Sequence, residues 1–406
     1  QLPEHLQDRS DQIVDACAVD RQGQAQFMAT GRGGLPPTPT SLPMGMILLG
    51  SDDKANNEAS LHLAQGDART AISLWQQVIE RHQQNNNALG QRQAQLNQIQ
   101  ALQSLGFYPQ AQTQLEAILI ALSDQSTQSL VTDNLVAVSE AEAVARLNLG
   151  NVLRVGGEGE RSQQMLETAL AISQSLDHPL LTSTVLLNLG HTAQANNHTE
   201  RALAFYQRAI ETAPTSLAYV QAEISQLALH LDQAPTGVSD NAAERWLQLQ
   251  QQLAALPATR AATYAQLHLA QLELNSQQAL ASPNTVLALL TTASQQAKTL
   301  NDSVAETYAL AYQGQFYRQT QQWPESQTLT EKALENAQRL EAPEIVYELA
   351  WQLGRFYTMQ GNQPDAIAAY NTAIEALSML RGELAAASTD VQFTFRDGVE
   401  PVYREF

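Results

Sequence analysis

Apolar residues recur every three or four positions from about Asn56 to about Arg381, and short polar stretches interrupt them at regular intervals. Spacing of this kind places the apolar residues on one face of an α-helix. The pattern therefore predicts a long series of helix, short turn and helix. The predicted helix pairs run near residues 53–82, 88–122, 138–175, 180–213, 217–254, 259–299, 304–338 and 344–382.

The helix pairs repeat at a period of about forty residues, which indicates stacked units of one kind. Leu149-Gly150, Leu189-Gly190 and Leu353-Gly354 align with one another, and Gly314 fits the same register. A larger residue follows each glycine after sixteen positions, and an alanine follows three positions later. These residues are Leu166 and Ala169, Tyr206 and Ala209, Thr330 and Ala333, and Tyr370 and Ala373.

The turns inside the pairs also align. A glycine occupies the turn in several units, and glycine can adopt the left-handed conformation that ends a helix. A proline follows three residues later in three units, where it suits the first turn of the next helix because its missing N–H has no partner there. The aligned turn residues are Gly66, Gly106, Gly157, Asn197, Gln321 and Gly361, and the prolines are Pro109, Pro324 and Pro364.

Two stretches interrupt the period. An insertion lies between Ser123 and Ser139. The fifth and sixth units, residues 217–299, lack the glycine and have looser loops at Asp232–Asp240 and Asn275–Asn284. The pattern predicts helical hairpins there as well, but it leaves their register open.

The ends of the chain differ from the repeats. Gly31–Thr40 is rich in proline and glycine, which excludes a helix. We therefore divide the chain into an N-terminal strap with a short β-hairpin at residues 1–50, a solenoid at residues 51–382 and a C-terminal tail at residues 383–406.

The repeat resembles the tetratricopeptide repeat, in the long-helix variety of kinesin light chains and related binders of cargo or regulators. The resemblance rests on two units, which contain Leu353, Gly354, Tyr357, Gly361, Ala366, Tyr370 and Ala373, and Leu189, Gly190, Ala202, Tyr206, Ala209 and Pro214. It implies an all-α, right-handed superhelical solenoid of about eight helical hairpins. The small residues let paired helices approach, and the tyrosines fill the space beside them.

Two shorter resemblances concern the ends. Ala376–Leu384 and Asp390–Phe406 are similar to the junction between tetratricopeptide repeats and a caspase-like CHAT domain in cyanobacterial proteins. The segment from Cys17 to Pro39 is similar to one that closes large secreted proteins of the filamentous-haemagglutinin type. The second resemblance implies an extracellular or cell-envelope location, with the cytoplasm as the alternative.

Composition narrows the function classes. The chain has 22 Lys and Arg against 41 Asp and Glu, a net charge of −19, which disfavours nucleic acid as a partner. No apolar run approaches the roughly eighteen residues that cross a membrane. Cys17 is the single cysteine, so an intrachain disulfide is excluded.

Catalytic and metal-binding patterns are weak. Gly31-Arg-Gly-Gly34 lacks the Lys-Ser/Thr of a phosphate loop, and the eight histidines are scattered without metal-ligand spacing. We find no nucleophile paired with a base, and we expect a non-enzymatic protein with no cofactor and no metal site.

The first helix of each pair should line the concave side of the solenoid, which is commonly the working surface. Asparagine can bind a peptide N–H and C=O together, and arginine can hold a carboxylate with two parallel bonds. The alternative is a solvated polar face. The candidate groove residues are Asn148, Asn151, Arg154, Asn188, His191, Gln194, Gln315, Arg318, Trp351 and Arg355.

We therefore expect an interaction scaffold that binds an extended peptide or a partner protein, and that regulates or presents a downstream CHAT domain. The alternative is a structural protein that assembles head to tail into homo-oligomers or filaments through its ends. The candidate assembly residues are Cys17, Phe27, Leu35, Phe393, Phe395, Tyr403 and Phe406.

Overall fold

Sixteen α-helices make up the elements of the described residues, and they follow one another as eight hairpins. The structure is a computed structural model that describes residues 49, 54–64, 67–105, 107–128, 132–233, 241–276 and 279–384. The hairpins are α1 (Lys54–Ala64) and α2 (Ala68–Gln84), α3 (Ala88–Ser104) and α4 (Tyr108–Gln128), α5 (Thr132–Val155) and α6 (Gly159–Ser175), α7 (Pro179–Ala195) and α8 (Thr199–Thr212), α9 (Ser216–Gln233) and α10 (Ala242–Ala254), α11 (Arg260–Asn275) and α12 (Pro283–Thr299), α13 (Ser303–Gln319) and α14 (Trp323–Arg339), and α15 (Pro343–Met359) and α16 (Gln363–Leu384). The predicted all-α solenoid of about eight hairpins is confirmed.

The helices form two layers. Each helix packs against the next one in sequence, and neighbouring first helices also contact one another from α1 through α13. Among the described residues, the second helices make no comparable contact with each other. The layer of odd-numbered helices is therefore the closer-packed side of the stack. We call it the inner layer, and we call the even-numbered helices the outer layer.

The aligned glycines mark the closest approach between the two helices of a hairpin. A Cβ atom on Gly190 would lie 2.3 Å from the Tyr206 ring, and one on Gly354 would lie 2.8 Å from the Tyr370 ring. A Cβ atom on Gly150 would lie 2.7 Å from the Leu166 side chain. These positions therefore exclude any side chain, which explains the sixteen-residue spacing that the sequence displays.

The aligned turns adopt the predicted left-handed conformation. The φ angles are +76° at Gly157, +73° at Gly361, +58° at Asn197 and +62° at Gln321. The turns between successive hairpins use the same conformation at non-glycine residues, which the sequence pattern did not single out. These residues are Asn86, Asp177, Asn301 and Glu341. The predicted prolines Pro109, Pro324 and Pro364 each stand second in a helix, whereas Gly66 and Gly106 lie outside the described residues.

The insertion lengthens two helices, which corrects the predicted ends at residues 122 and 138. Helix α4 continues to Gln128, and α5 begins at Thr132. Extra residues at the end of a hairpin can continue the helical hydrogen bonding of both helices, so the period changes while the pairing is kept.

A buried ion pair joins two inner helices. Arg260, the first residue of α11, donates from Nε to Asp302 Oδ2 at 2.7 Å, and the two side chains are only 7% and 2% exposed. Asp302 also accepts from the Ala305 main-chain N–H at 3.0 Å, which caps the start of α13. The pair links two consecutive hairpins because its partners lie at the starts of α11 and α13.

Among the described helices, none is both long enough and apolar enough to cross a membrane. The N-terminal strap with its predicted hairpin and the C-terminal tail fall outside the described residues, except for Leu49 and the last residues of α16. The boundaries predicted for these two segments therefore stay predictions.

Candidate functional site

The predicted groove residues all lie on inner-layer helices, and the structure places them deeper than a solvated face would be. Asn148, Asn188, His191, Gln315 and Trp351 are buried. The remaining five are half-buried, and they are Asn151, Arg154, Gln194, Arg318 and Arg355. The inner layer is therefore a polar surface whose side chains are partly withdrawn from water.

Asn97 on α3 shows what an amide in this layer can do. Its Oδ1 accepts from the Leu49 main-chain N–H at 3.0 Å, and its Nδ2 donates to the Leu49 carbonyl at 2.9 Å. Asn56 Nδ2 donates to the same carbonyl at 2.9 Å. The Leu49 side chain is 3% exposed and packs in the core cluster that includes Leu96 and Ile99. A single amide thus holds both main-chain polar groups of Leu49, a residue that belongs to no helix.

The contact is supported by a connected network. Trp75 Nε1 donates to Asn56 Oδ1 at 2.7 Å, and Asn97 Nδ2 lies 3.0 Å from the same oxygen. All three side chains are buried. Because each buried polar group has a partner, the orientation of the Asn97 amide is fixed.

Asn97 was not among the predicted groove residues, although the sequence contains the signal. It stands nine residues before the turn residue Gly106, as Asn148 stands before Gly157 and Asn188 before Asn197. Asn97, Asn148 and Asn188 are therefore equivalent residues of three successive inner helices. The insertion between α4 and α5 hides the equivalence in a forty-residue alignment.

The two predicted asparagines differ in their bonding. Asn188 Nδ2 donates to the Thr184 carbonyl of its own helix at 2.8 Å, so one of its donors is engaged. Asn148 Nδ2 is buried and has no hydrogen-bond partner among the described residues. Asn148 thus has the position of Asn97, but its Nδ2 makes no bond of the kind that Asn97 Nδ2 donates to Leu49.

His191 is the centre of a second polar group. Ser225 Oγ donates its hydroxyl hydrogen to the Gln221 carbonyl at 3.0 Å, so it can only accept a hydrogen bond from His191. The 3.1 Å contact between His191 Nε2 and Ser225 Oγ is then a bond donated by Nε2–H. His191 Nδ1 is then a buried acceptor that has no hydrogen-bond partner among the described residues. Burial, followed by the charges of Arg154 and His268, lowers the pKa of His191 to about 3, so the ring is neutral.

The residues around His191 come from consecutive hairpins. The Tyr206 hydroxyl donates to Gln194 Oε1 at 2.8 Å, and the Tyr206 ring meets His191 edge to face at 5.5 Å between centroids. Arg154 lies near both rings, and burial lowers the pKa of its guanidinium. The structure therefore brings three of the predicted residues, Arg154, His191 and Gln194, into one cluster.

The other end of the inner layer carries a separate charged group. The Arg355 guanidinium lies over the Trp351 ring at 5.5 Å from its centroid. Burial and then the like charge of Arg355 lower the pKa of Arg318. Glu348 was not predicted; it lies one turn before Trp351 on the same helix and is 8% exposed.

Glu348 is a buried carboxyl. The Tyr347 hydroxyl donates to Oε1 at 2.8 Å, whereas Oε2 has no hydrogen-bond partner among the described residues. Burial raises the pKa of Glu348 to about 8, and the bond from Tyr347 opposes that rise. The carboxyl is therefore largely protonated at neutral pH.

Unsatisfied polar atoms concentrate on the inner layer. Several buried side-chain nitrogen and oxygen atoms have no hydrogen-bond partner among the described residues, and the following lie on odd-numbered helices. They are Arg92 Nε, Asn148 Nδ2, Asn151 Oδ1, His191 Nδ1, Gln266 Oε1, Gln315 Oε1 and Glu348 Oε2. Each such atom disfavours the folded state by about 1–3 kcal/mol until it finds a partner.

The remaining predicted site residues have no structural description. The candidate assembly residues Cys17, Phe27, Leu35, Phe393, Phe395, Tyr403 and Phe406 lie outside the described residues. Within the described ranges, no group of three or more His, Cys, Asp or Glu side chains is placed to hold a metal ion.

Comparison with known families identifies part of the repeat. The sequence model of the tetratricopeptide repeat matches residues 141–215, which span most of α5 and all of α6, α7 and α8. This segment therefore carries tetratricopeptide repeats, as the sequence predicts. No curated protein matches the chain.

Solved structures with similar folds are distant in sequence. A Rap protein complexed with competence and sporulation factor is 16% identical, with a TM-score of 0.46, over 76% of this chain and 86% of that one. The apo form of RapI is 12% identical, with a TM-score of 0.48, over 68% and 95% of the two chains. The Rap conjugation regulator of plasmid pLS20, in complex with the Phr* peptide, is 12% identical, with a TM-score of 0.47, over 86% and 84%.

Proposed function

We propose that this protein is a non-enzymatic scaffold that binds an extended polypeptide segment along its inner layer through the main chain of the ligand. One observation carries the proposal: Asn97 holds the N–H and C=O of Leu49 at 3.0 and 2.9 Å. The chain's own residue acts there as a short internal ligand. We expect the equivalent Asn148 to make the same pair of bonds with an external segment.

The chemistry of the amide supports this reading. An asparagine side chain offers a donor and an acceptor at the spacing of a peptide group, so it recognises backbone without demanding a particular side chain. Backbone recognition by a row of amides suits a solenoid, because successive hairpins present the same position in turn. Asn97, Asn148 and Asn188 are such a row.

The unsatisfied atoms of the inner layer supply a reason for binding. A partner that supplies hydrogen bonds to several of them removes the cost that each imposes on the free protein. Among the described residues, no even-numbered helix carries a buried side-chain nitrogen or oxygen atom that lacks a hydrogen-bond partner. The inner layer is therefore the better candidate for a binding surface.

The test is the replacement of Asn148 with alanine. A random-sequence peptide display library is selected on the full chain, and one selected peptide is titrated by calorimetry. We expect Asn148→Ala to weaken binding at least about tenfold, because two hydrogen bonds to the ligand main chain are lost. We expect little change in unfolding temperature, because the Asn148 Nδ2 donor has no hydrogen-bond partner among the residues that the structure describes.

The matched control is Asn371→Ala, which removes an exposed asparagine of α16 in the outer layer. It should leave the affinity unchanged. Failure to select any peptide, or equal affinity for the wild type and Asn148→Ala, would contradict the proposal. Regulation of a CHAT domain, the extracellular location and assembly through the chain ends stay predictions that these experiments leave open.

A further inference from the structure

An acidic side chain and two basic side chains lie along one stripe of the inner layer at its C-terminal end. Glu348, Trp351 and Arg355 are spaced by three and four residues on α15, so they share a face of the helix. The seven residue steps from Glu348 to Arg355 span about 10 Å along the helix axis. Arg318 of α13 lies near Arg355, so the positive end of the stripe contains two guanidinium groups.

Arg318 has no counter-ion in the described part of the chain. Its guanidinium makes no ion pair and no hydrogen bond with a described residue, whereas Arg146 pairs with Glu142, Arg245 with Glu223, and Arg260 with Asp302. Acidic residues outnumber basic ones by 41 to 22, so carboxylates are plentiful. A half-buried guanidinium beside a like charge is costly unless an anion joins it. The position therefore suits an anion that comes from a ligand.

The neighbouring arginine is held in a defined place. Arg355 stacks over Trp351 at 5.5 Å, and cation–π stacking of this kind restrains the plane of the guanidinium. Two guanidinium groups together can bind a carboxylate through several charge-assisted bonds.

The opposite end of the stripe fits a positive group. Glu348 makes no ion pair with a described residue, its Oε2 has no hydrogen-bond partner among them, and the side chain is more than nine-tenths buried. Glu344 lies one turn earlier on the same face. An ammonium or guanidinium group of a ligand would give Glu348 the partner that it lacks and favour its ionised form.

We propose that the inner face of α13 and α15 is a bipolar subsite for a polypeptide segment that carries an acidic and a basic side chain two to four residues apart. The acidic side chain binds Arg318 and Arg355, and the basic one binds Glu348. The spacing of the two ligand side chains follows from the distance between Glu348 and Arg355, since about 10 Å corresponds to about three residues of an extended chain. The proposal rests on the proposed function, since it specifies the ligand of the same layer.

The test uses the display library on the full chain and on Arg318→Gln, Arg355→Gln and Glu348→Gln. Peptides selected on the wild type should be enriched in an acidic and a basic residue two to four positions apart. Selection on either arginine variant should lose the acidic preference and keep the basic one, and selection on Glu348→Gln should do the reverse. A peptide selected on the wild type should bind Arg318→Gln at least about tenfold more weakly.

The controls are Arg69→Gln on α2 and Glu375→Gln on α16, which remove exposed charges of the outer layer. Both should leave the charge preferences intact. If no peptide is selected on any form of the chain, the proposed function fails. If peptides are selected without a charge pair, or with a charge pair that all variants retain, the bipolar subsite fails while the proposed function stands.

A stability measurement separates ligand binding from a structural role. Arg318→Gln removes a like charge from beside Arg355, and Glu348→Gln removes a buried carboxyl, so neither should lower the unfolding temperature of the ligand-free chain. A drop of several degrees in either variant would assign the residue to the fold and overturn its place in the subsite.

Discussion

Replacing Asp302 with alanine should lower the free energy of unfolding by about 3–5 kcal/mol, because it leaves the Arg260 guanidinium buried without a counter-ion. The substitution also removes the cap of α13, which is worth about 1 kcal/mol. The Asp302 side chain is 2% exposed and Arg260 is 7% exposed, so water replaces little of the lost interaction. Urea unfolding followed by circular dichroism measures the change.

The matched control is Glu306→Ala, which breaks the Lys298–Glu306 contact of 3.8 Å at the surface. An ion pair of this exposed kind contributes about 0–1 kcal/mol. Equal losses for Asp302→Ala and Glu306→Ala would contradict the assignment of the Arg260–Asp302 pair as the link between α11 and α13. Arg260→Met combined with Asp302→Leu should recover much of the loss, since it removes both buried charges together.

Replacing Gly190 with alanine should destabilise the chain by about 3 kcal/mol, at the upper end of the cost of overpacking a core. The added methyl carbon would lie 2.3 Å from the Tyr206 ring, whose side chain is fully buried and bonded to Gln194. Alanine is the better helix former by about 1 kcal/mol, so the steric cost must exceed that gain. Thermal unfolding of the purified variants measures the difference.

Gly156→Ala is the control, because its Cβ atom would meet only the Val152 and Leu153 carbonyl oxygens, at 3.5 and 3.6 Å. It should change stability by less than about 1 kcal/mol. Tyr206→Leu should partly rescue Gly190→Ala by making room for the methyl group. If Gly190→Ala is as stable as the wild type, the close helix approach that explains the repeat is wrong.

The sequence could predict the fold because one physical constraint recurs in every clear unit. A glycine must face a larger side chain sixteen residues later, and a left-handed turn must lie between them, so Gly190, Tyr206 and Asn197 define a hairpin together. The sequence pattern predicts the first and last turns of the helices less closely. Within the inserted stretch, helical hydrogen bonding continues as far as Gln128 and begins again at Thr132, and polarity alone does not distinguish that outcome from a loop.

The candidate site was predicted only in part. The periodicity identifies the helix face on which Asn148, His191 and Arg318 lie, because that face follows from the glycine register. It does not reveal the Asn97 contact, since Leu49 lies forty-eight residues earlier in a segment without periodicity. Glu348 was missed for another reason. A glutamate on a polar helix face is normally solvated, and its burial depends on packing against residues of other helices.

The most direct test of the account is the affinity of one library-selected peptide compared with that of analogues in which single amides are replaced by esters. An ester keeps every side chain and removes one main-chain N–H donor. If inner-layer amides recognise the ligand main chain, an ester at one or more positions should weaken binding about tenfold. At the position that Asn148 contacts, the amide peptide and its ester analogue should then bind the Asn148→Ala variant with equal affinity. Equal affinity for the amide and for every ester analogue would contradict the central claim.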